Sequence, residues 1–412
     1  MTTAAARSAG AWARIGAAGE AANARSALDQ RRVDLAATTA RRDDLSREVY
    51  CILGLPIDAI EMPAALRTVE AAAAGSAPFV LSTPNLNFLV ATQTDSEFRE
   101  SVLLSDLCPA DGMPIVWIAR LIGVPIRQRV AGSDMFDALS AKQPSADRLK
   151  VCLFGGADGA AAAASTAINA RPGVLSCVGA IYPGYGSVDQ LSRDDIIDQV
   201  NASRADFLMV SLGAQKGQIW LQRNHDRLRI PIRAHLGAVI NFQAGKVKRA
   251  PALLKRFGLE WLWRIKEEPY LWKRYWHDGV ALLRLLATDI LPLAIAARWR
   301  RWSRGRGEEG LVIRQIPSDD ALVLQLCGAA TARHVDQAIA CFRDAVKTQQ
   351  AIIIDCSDTN AIDARFLGLL LMLRKRLAGQ GAGPTFIGVS RRLERTFRLN
   401  GAAFLLTSAR GP

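Results

Sequence analysis

The chain has few of the residues that build metal centres and disulfide frameworks. It contains four histidines in 412 residues, and its seven cysteines are scattered, with no pair at CxxC spacing. Zinc sites need cysteine and histidine ligands at short spacings, so no metal site is expected. Several cysteines lie in apolar runs such as KVCLF and IIIDC, which is typical of reduced core residues in a cytoplasmic protein.

Further absences exclude other classes of protein. The chain has no GxxxxGK[ST] loop and no GxSxG elbow. No two aspartates stand two residues apart, so the metal-binding DxD pattern of many nucleotide-sugar enzymes is missing. Residues 1–48 are rich in Ala and Arg and lack the apolar run of a secretory signal. We expect them to form a disordered or loosely helical leader.

From residue 49 onward, short apolar runs alternate with helical stretches. Strands are predicted at 49–53, 79–82, 150–154, 176–180, 206–211 and 233–240, the last within the apolar run RAHLGAVINF. Helices are predicted at 61–74, 95–104, 113–121, 133–142, 158–170, 191–203 and 215–224. This alternation predicts an α/β domain with a mostly parallel sheet over residues 49–245. After an Arg/Gly-rich linker, residues 301–310, more strands and helices predict a small α/β domain at 311–412.

Ligands of parallel sheets bind beyond the carboxyl ends of the strands, so the loops there carry the candidate residues. Thr83 and Asn85 follow the run FVLS and can contact ligand hydroxyls or hold the turn. Asp111, in PADGMP, is either a helix cap or a general base. The turn GGADG, residues 155–159, offers backbone amides to a diphosphate or serves packing alone.

A second group of candidates lies in the run RVAGSDMFDAL, residues 129–139. Arg129 is a candidate anion contact. Ser133 or Asp134 is expected to cap the helix that follows.

Residues 246–300 form a basic, Trp-rich appendage. From Lys246 to Arg306 there are fifteen Lys or Arg against five Asp or Glu, and six of the nine Trp. Basic charge mixed with Trp is typical of a surface that meets an anionic membrane. The stretch 279–299 is long enough to span a bilayer, but it contains Arg284, Asp289 and Pro292. Interior charges are costly at bilayer depth, so we expect an amphipathic segment lying in the membrane surface.

Four ordered blocks resemble a known family. The blocks are STPNLNFLVATQTDSEFRESVLLSDLCPADGMPIVWIARLIGVPIRQRVAGSDMF, FLMVSLGAQKGQIWLQ, LGAVINFQAGKVKRAP and FGLEWLWRIKEEP, where Phe257 replaces a Leu of the family pattern. They are similar to the WecG/TagA/CpsF glycosyltransferases, glycosyltransferase family 26, and the resemblance covers roughly residues 49–277. The resemblance implies a Rossmann-like domain with a C-terminal appendage, acting at the cytoplasmic face of the bacterial membrane. It implies inverting transfer from a UDP-sugar of the N-acetylmannosamine, mannosaminuronate or glucose/glucuronate kind to a polyprenyl-diphosphate-linked sugar in surface or exopolysaccharide synthesis. No cofactor or metal ion is implied.

The same resemblance assigns roles to residues. Asp111 matches the catalytic base. The substrate-binding positions are Thr83, Asn85, Arg129, Lys216, Asn241, Lys248, Arg249, Arg256 and Arg264. Where the family shows GAPKQE, this chain has Gly at 217 and Gln at 218.

The run IIIDCSDTNAIDARFLGLLLMLRKRL resembles a STAS domain. The phosphorylatable D-S-S-G-like turn of that family is replaced here by Asp363-Ala-Arg-Phe366. The resemblance therefore leaves docking of a protein partner, or self-association into a homo-oligomer. A rival to the enzyme is a membrane-bound, non-catalytic scaffold or regulator that uses this domain. Nucleic-acid binding is disfavoured, because the aromatic residues lie at helical spacing rather than alternating as a stacking platform.

Overall fold

The structure is a computed structural model that describes residues 43–407 except 76, 142–147, 172, 303–309 and 319, and the side chains of 252, 256 and 300–302. Most of the expected leader and linker therefore lies outside the described residues. Residues 43–48, which the sequence analysis places in the leader, are folded. Asp44–Ser46 form a short 3-10 helix in which Leu45 is buried.

A five-stranded parallel sheet organises the first domain and confirms the predicted α/β class. A hairpin of β1 (Val49–Ile52) and β2 (Leu55–Asp58) comes first in the chain. The strands of the parallel sheet are β3 (Phe79–Leu81), β4 (Leu149–Gly155), β5 (Leu175–Ile181), β6 (Phe207–Ser211) and β7 (Ile232–His235). Their order is β3-β7-β6-β4-β5, and every neighbouring pair is parallel. Helices surround the sheet: Met62–Ala73, Leu86–Ala91, Ser96–Leu103, Met113–Ile122, Gly132–Ser140, Ala160–Asn169, Asp194–Ala202, Ala214–Arg223 and Val239–Gln243.

Two of the predicted strands differ from the structure. The run at 49–53 forms β1 (Val49–Ile52), which pairs antiparallel with β2 (Leu55–Asp58) in a hairpin outside the parallel sheet. The run RAHLGAVINF is a strand only as far as His235, and Val239–Gln243 is a helix. A continuous apolar run has no period that separates a buried strand from a buried helix, and the glycine at 237 is the only sign of the break.

The appendage consists of the helices Ala252–Arg256, Glu260–Glu267, Trp272–Leu285 and Leu291–Trp302, with a π-helical turn at Leu286–Ile290. Within the described residues, Pro269–Trp299 is the one helix long and apolar enough to cross a membrane by length and composition, a test that buried core helices also pass. Ile290, Leu293 and Ala294 on one face are buried against the α/β domain. The opposite face exposes a stripe of large apolar side chains: Trp272, Trp276, Val280, Leu283, Leu291, Ile295 and Trp299.

The C-terminal domain contains β8 (Val312–Pro317), β9 (Ala321–Ala330), β10 (Ala351–Asp355), β11 (Thr359–Ile362) and β12 (Thr385–Ile387). The path β11-β9-β10-β12 is parallel, and β8 adds antiparallel to β9. The helices are Val335–Lys347, Ala364–Ala378, Arg391–Leu399 and Phe404–Thr407. The core of this domain is shared with the N-terminal part of the chain. Its cluster of buried residues also contains Leu45, Val49, Cys51 and Leu103.

Candidate active site

Asp111 closes an extended segment, residues 105–111, that runs beside β3. Its backbone amide donates to the carbonyl of Pro84 at 2.8 Å, which places it against the loop that carries Thr83 and Asn85. The helix that follows, Met113–Ile122, has Gly112 at its N-cap and no side-chain cap. Asp111 therefore does not serve as a helix cap, and its carboxyl is available for chemistry.

The environment of Asp111 favours its neutral form. Burial raises the pKa of Asp111 to about 7. Arg129 and a hydrogen bond from the backbone amide of Gly132 oppose this rise in pKa, while Glu260 and Asp134 add to it. A carboxyl that titrates near neutrality can accept a proton and return it at physiological pH, which is what a general base requires.

Thr83 and Asn85 lie in the loop after β3, as predicted. Thr83 is buried. The side chain of Asn85 accepts from the amide of Phe88 at 3.2 Å and so caps the helix Leu86–Ala91. Asn85 therefore fills the turn-holding role that the sequence analysis left open, and it fixes the loop next to Asp111.

Arg129 is the centre of an ion-pair network that joins the appendage to the α/β domain. It donates to Glu260 at 2.8 Å and also pairs with Asp134. Asp134 in turn accepts from Lys255 at 3.2 Å. The prediction that Ser133 or Asp134 caps this helix is wrong. Ala131 is the N-cap residue, and no side chain caps the helix. Asp134 instead pairs with Arg129 and Lys255.

The predicted cationic residues of the appendage divide into two groups. Arg249 lies in the network, where it pairs with Asp137 and donates to the carbonyl of Ser133 at 2.8 Å. Arg264 instead pairs with Glu268 along its own helix.

The other two predicted basic residues of the appendage are Lys248 and Arg256. Lys248 is exposed, and its carbonyl accepts from the indole of Trp263 at 2.9 Å. The side chain of Arg256 lies outside the described residues.

The glycine turn after β4 touches the start of the appendage. Lys246 donates from Nζ to the carbonyl of Asp158 at 2.9 Å. The amide of Gly156 is used internally, since it donates to the carbonyl of Ser211 at 2.8 Å. Asn241 lies between this turn and the appendage in the chain, and its buried Oδ1 has no partner among the described residues.

Lys216 and its neighbours lie on the helix Ala214–Arg223. Lys216 is exposed and donates to the carbonyl of Gly186 at 2.7 Å. Gly217 and Gln218 face the interior: a Cβ at 217 would lie 2.2 Å from Cδ2 of His235, and Gln218 donates to the carbonyl of Ser101 at 3.1 Å. The two positions that depart from the family pattern therefore contact the core of the domain.

Sequence reasoning missed Glu260 and Lys255 as members of the site. Both lie in a segment of high positive charge, and net charge predicts a cationic surface without identifying which side chains pair. The only signal for Glu260 was its place as the first acid of the Trp-rich run. Within the described residues, no group of three or more His, Cys, Asp or Glu side chains is arranged to hold a metal ion.

Comparison with known proteins places this geometry in context. Residues 50–294 match the Glycosyl transferase WecG/TagA/CpsF family, and residues 314–407 match a STAS domain of the Mlab type. An N-acetylglucosaminyldiphosphoundecaprenol N-acetyl-beta-D-mannosaminyltransferase of Bacillus spizizenii is 29% identical over 177 residues, 42% of this chain and 66% of that protein. The match thus spans just under two thirds of that relative.

Proteins with the same name in Bacillus subtilis and Staphylococcus aureus are also similar. The first is 26% identical over 200 residues, 47% of this chain and 74% of that protein. The second is 24% identical over 226 residues, 54% of this chain and 85% of that protein. Because the family match covers more than half of its residues and includes the Asp111 loop and most of the appendage, the chain belongs to the WecG/TagA/CpsF family of glycosyltransferases.

Proposed function

We propose that the protein is an inverting, metal-independent glycosyltransferase. It moves a sugar of the N-acetylmannosamine, mannosaminuronate or glucose/glucuronate kind from a UDP-sugar to a polyprenyl-diphosphate-linked acceptor during bacterial surface or exopolysaccharide synthesis. The observation that carries this proposal is a single carboxyl, Asp111, whose amide is held by the loop of Thr83 and Asn85 and whose pKa is raised by burial to about 7, within reach of the charges of Arg129 and Glu260.

One carboxylate is enough for the proposed chemistry. Asp111 accepts the proton of the acceptor hydroxyl while the oxygen attacks C1 of the donor from the face opposite UDP, and the C1–O bond to UDP breaks. Inverting glycosidases need an acid as well as a base, but a diphosphate leaves without protonation. The relatives' name specifies a beta-linked mannosaminyl group, which is the product of inversion at an alpha-linked donor.

Cationic side chains of the Arg129 network and of the first part of the appendage are the proposed stabilisers of the departing UDP. Arg129 and Arg249 are paired with carboxylates, so a diphosphate would take the place of an acidic partner rather than meet an unoccupied cation. Lys248 is exposed at the beginning of the appendage. Arginine binds carboxylate and phosphate in the same two-pronged geometry, which makes such an exchange of partners feasible.

The exposed apolar stripe of Pro269–Trp299 supports peripheral binding to the inner face of the cell membrane. Its large side chains face solvent while the opposite face packs against the domain. A helix with one apolar face outward suits a position in the plane of the membrane surface. The acceptor's diphosphate lies at that surface, so the same helix would hold the Asp111 cleft at the height of its substrate.

The non-catalytic scaffold is the alternative function, and it would be favoured if the altered positions 217 and 218 disrupted the site. The altered positions Gly217 and Gln218 contact the interior of the domain. Their departure from the family pattern is therefore compatible with an intact cleft.

A donor screen with lipid-linked acceptor tests the proposal. Purified protein is incubated with UDP-sugars and undecaprenyl-diphosphate-GlcNAc in the presence of EDTA, and UDP release is measured together with the anomeric configuration of the product. We expect UDP release with at least one donor, an inverted product and no loss of rate with EDTA. Absence of acceptor-dependent UDP release with every donor would support the scaffold, and loss of rate with EDTA would refute metal independence.

A further inference from the structure

The C-terminal domain and the α/β domain are in close backbone contact where one helix crosses β1. The helix Ala364–Ala378 crosses β1 so closely that a Cβ on Gly368 would lie 2.1 Å from the carbonyl oxygen of Val49. Arg365, on the same helix, is buried and donates to that carbonyl at 3.2 Å. Together with the shared apolar core, these contacts make the two domains one packed unit along this face.

Lys375 brings a buried charge from that helix to the segment that carries Asp111. Its Nζ donates to Asp106 Oδ1 at 2.6 Å, to Asp44 Oδ1 at 2.7 Å and to the carbonyl of Ser105 at 3.0 Å. The side chain of Lys375 is only 9% exposed. A buried ammonium with two carboxylates and a carbonyl is fully paired, and removal of the lysine would leave Asp106 without its paired cation.

Asp106 is also hydrogen-bonded to β3. Its second carboxylate oxygen accepts from the amide of Val80 at 2.8 Å, and its own amide donates to the carbonyl of Val80 at 2.7 Å. Asp106 is therefore held by the C-terminal domain on one side and by the parallel sheet on the other.

Only four residues separate Asp106 from Asp111, and hydrogen bonds fix the chain between them. The amide of Cys108 donates to Asp58 at 2.6 Å, and its carbonyl accepts from the amide of Asp58 at 2.9 Å. At the far end, the amide of Asp111 donates to the carbonyl of Pro84. Asp106, Cys108 and Asp111 are therefore three fixed points of one short segment, and Lys375 holds the first of them.

We propose that Lys375 is a positioning residue for the transferase, and that the C-terminal domain is a fixed part of the catalytic unit that sets the place of Asp111. This inference rests on the proposed function of Asp111 as the base. It assigns the helix Ala364–Ala378 a partner within the chain, in place of the docking of a separate protein.

The test compares two carboxylates of the α/β domain that contact the helix Ala364–Ala378 in the full-length protein. Asp106→Asn disturbs the Lys375 contact in the segment that carries Asp111, whereas Glu100→Gln removes the partner of Arg374 on the helix Ser96–Leu103. We expect Asp106→Asn and Lys375→Met to lower kcat for sugar transfer roughly tenfold to 100-fold with little change in the KM of the donor. Glu100→Gln should keep kcat within about threefold, and Lys375→Arg should keep most of the wild-type kcat.

Thermal unfolding of each variant separates positioning from simple destabilisation. The matched control is Lys347→Met. Lys347 is an exposed lysine that pairs with Asp344 within the helix Val335–Lys347 of the same domain. If Lys375→Met does not fold, the comparison of Asp106→Asn with Glu100→Gln still decides. Equal losses of kcat in those two variants, or wild-type kcat in folded Lys375→Met, would overturn the inference. Turnover that persists in Asp111→Asn would instead refute the proposed base.

Discussion

Arg129 donates to Glu260 at 2.8 Å and thereby joins the start of the helix Gly132–Ser140 to the first turn of the appendage helix Glu260–Glu267. The two charges act on the same carboxyl in opposite directions. Arg129 lowers the pKa of Asp111 and Glu260 raises it, against a larger upward shift from burial. The appendage therefore influences the protonation of Asp111 through Glu260.

The acid limb of the pH–rate profile should report these two charges. For the wild type we expect kcat/KM to rise with pH through a midpoint near 7, because the base must be ionised. Glu260→Gln should move the midpoint down and Arg129→Gln should move it up, each by about 0.5–1 pH unit. Glu97→Gln, which removes an acid from an exposed pair with Arg223, should leave the midpoint unchanged. Shifts of the same sign in both variants would contradict the network.

Asp111→Asn should separate catalysis from folding. Turnover should fall about 10²–10⁴-fold, while UDP binding measured by calorimetry is retained. Asp198→Asn, at an exposed position of the helix Asp194–Ala202, is the matched control and should keep full turnover. Wild-type turnover in Asp111→Asn would remove this residue from the role of base.

The same variant has a predicted effect on stability. Because folding raises the pKa of Asp111 to about 7, its protonated form favours the folded state below pH 4, and this contribution is lost as the pH rises through 7. Asp111→Asn should therefore be more stable than the wild type at pH 8, by about 1–3 kcal/mol, with a smaller difference at pH 4.5. Urea unfolding at the two pH values measures the difference, and an equal effect at both would contradict the buried ionisation.

Much of the fold was predictable from the sequence, because the parallel sheet leaves a strong local pattern. Strands such as β6 are buried on both faces and appear as continuous apolar runs between helical stretches. The hairpin of β1 and β2 was not recognised, because β1 is as apolar as a central strand. Its apolar residues are buried partly by the C-terminal domain, a contact made by residues more than three hundred positions away.

The candidate site was predictable in its loop positions but not in its pairings. The loops after strands identify where Asp111, Thr83 and Asn85 meet, since strand ends gather at one edge of a parallel sheet. The link from Arg129 to Glu260 depends on how the appendage folds back across 131 residues of sequence. Periodicity and composition contain no information about such a contact, so charge alone suggested a cationic surface where the structure has paired charges.

The exposed stripe of the long appendage helix should control binding to vesicles. Trp276, Leu283 and Ile295 are 70%, 67% and 64% exposed. Replacing all three with Ser removes apolar surface worth about 1.5–3 kcal/mol per side chain on burial, so binding to phosphatidylglycerol vesicles should weaken at least roughly tenfold. Val312→Ser with Ile316→Ser, on the exposed face of β8, is the control and should bind as the wild type does. Unchanged sedimentation of the triple variant would refute the membrane surface.

Asp278 and Asn87 should be energetically coupled, because they tie the long appendage helix to the helix that Asn85 caps. Asp278 is 2% exposed, and its carboxylate accepts from Nδ2 of Asn87 at 3.2 and 3.3 Å. Asn87→Asp places two carboxylates together and should destabilise the fold by about 1–3 kcal/mol at pH 7, and less at pH 4.5. Combining it with Asp278→Asn restores one donor and one acceptor, so the double variant should recover most of the loss in urea unfolding. Additive losses would show that the two side chains do not interact.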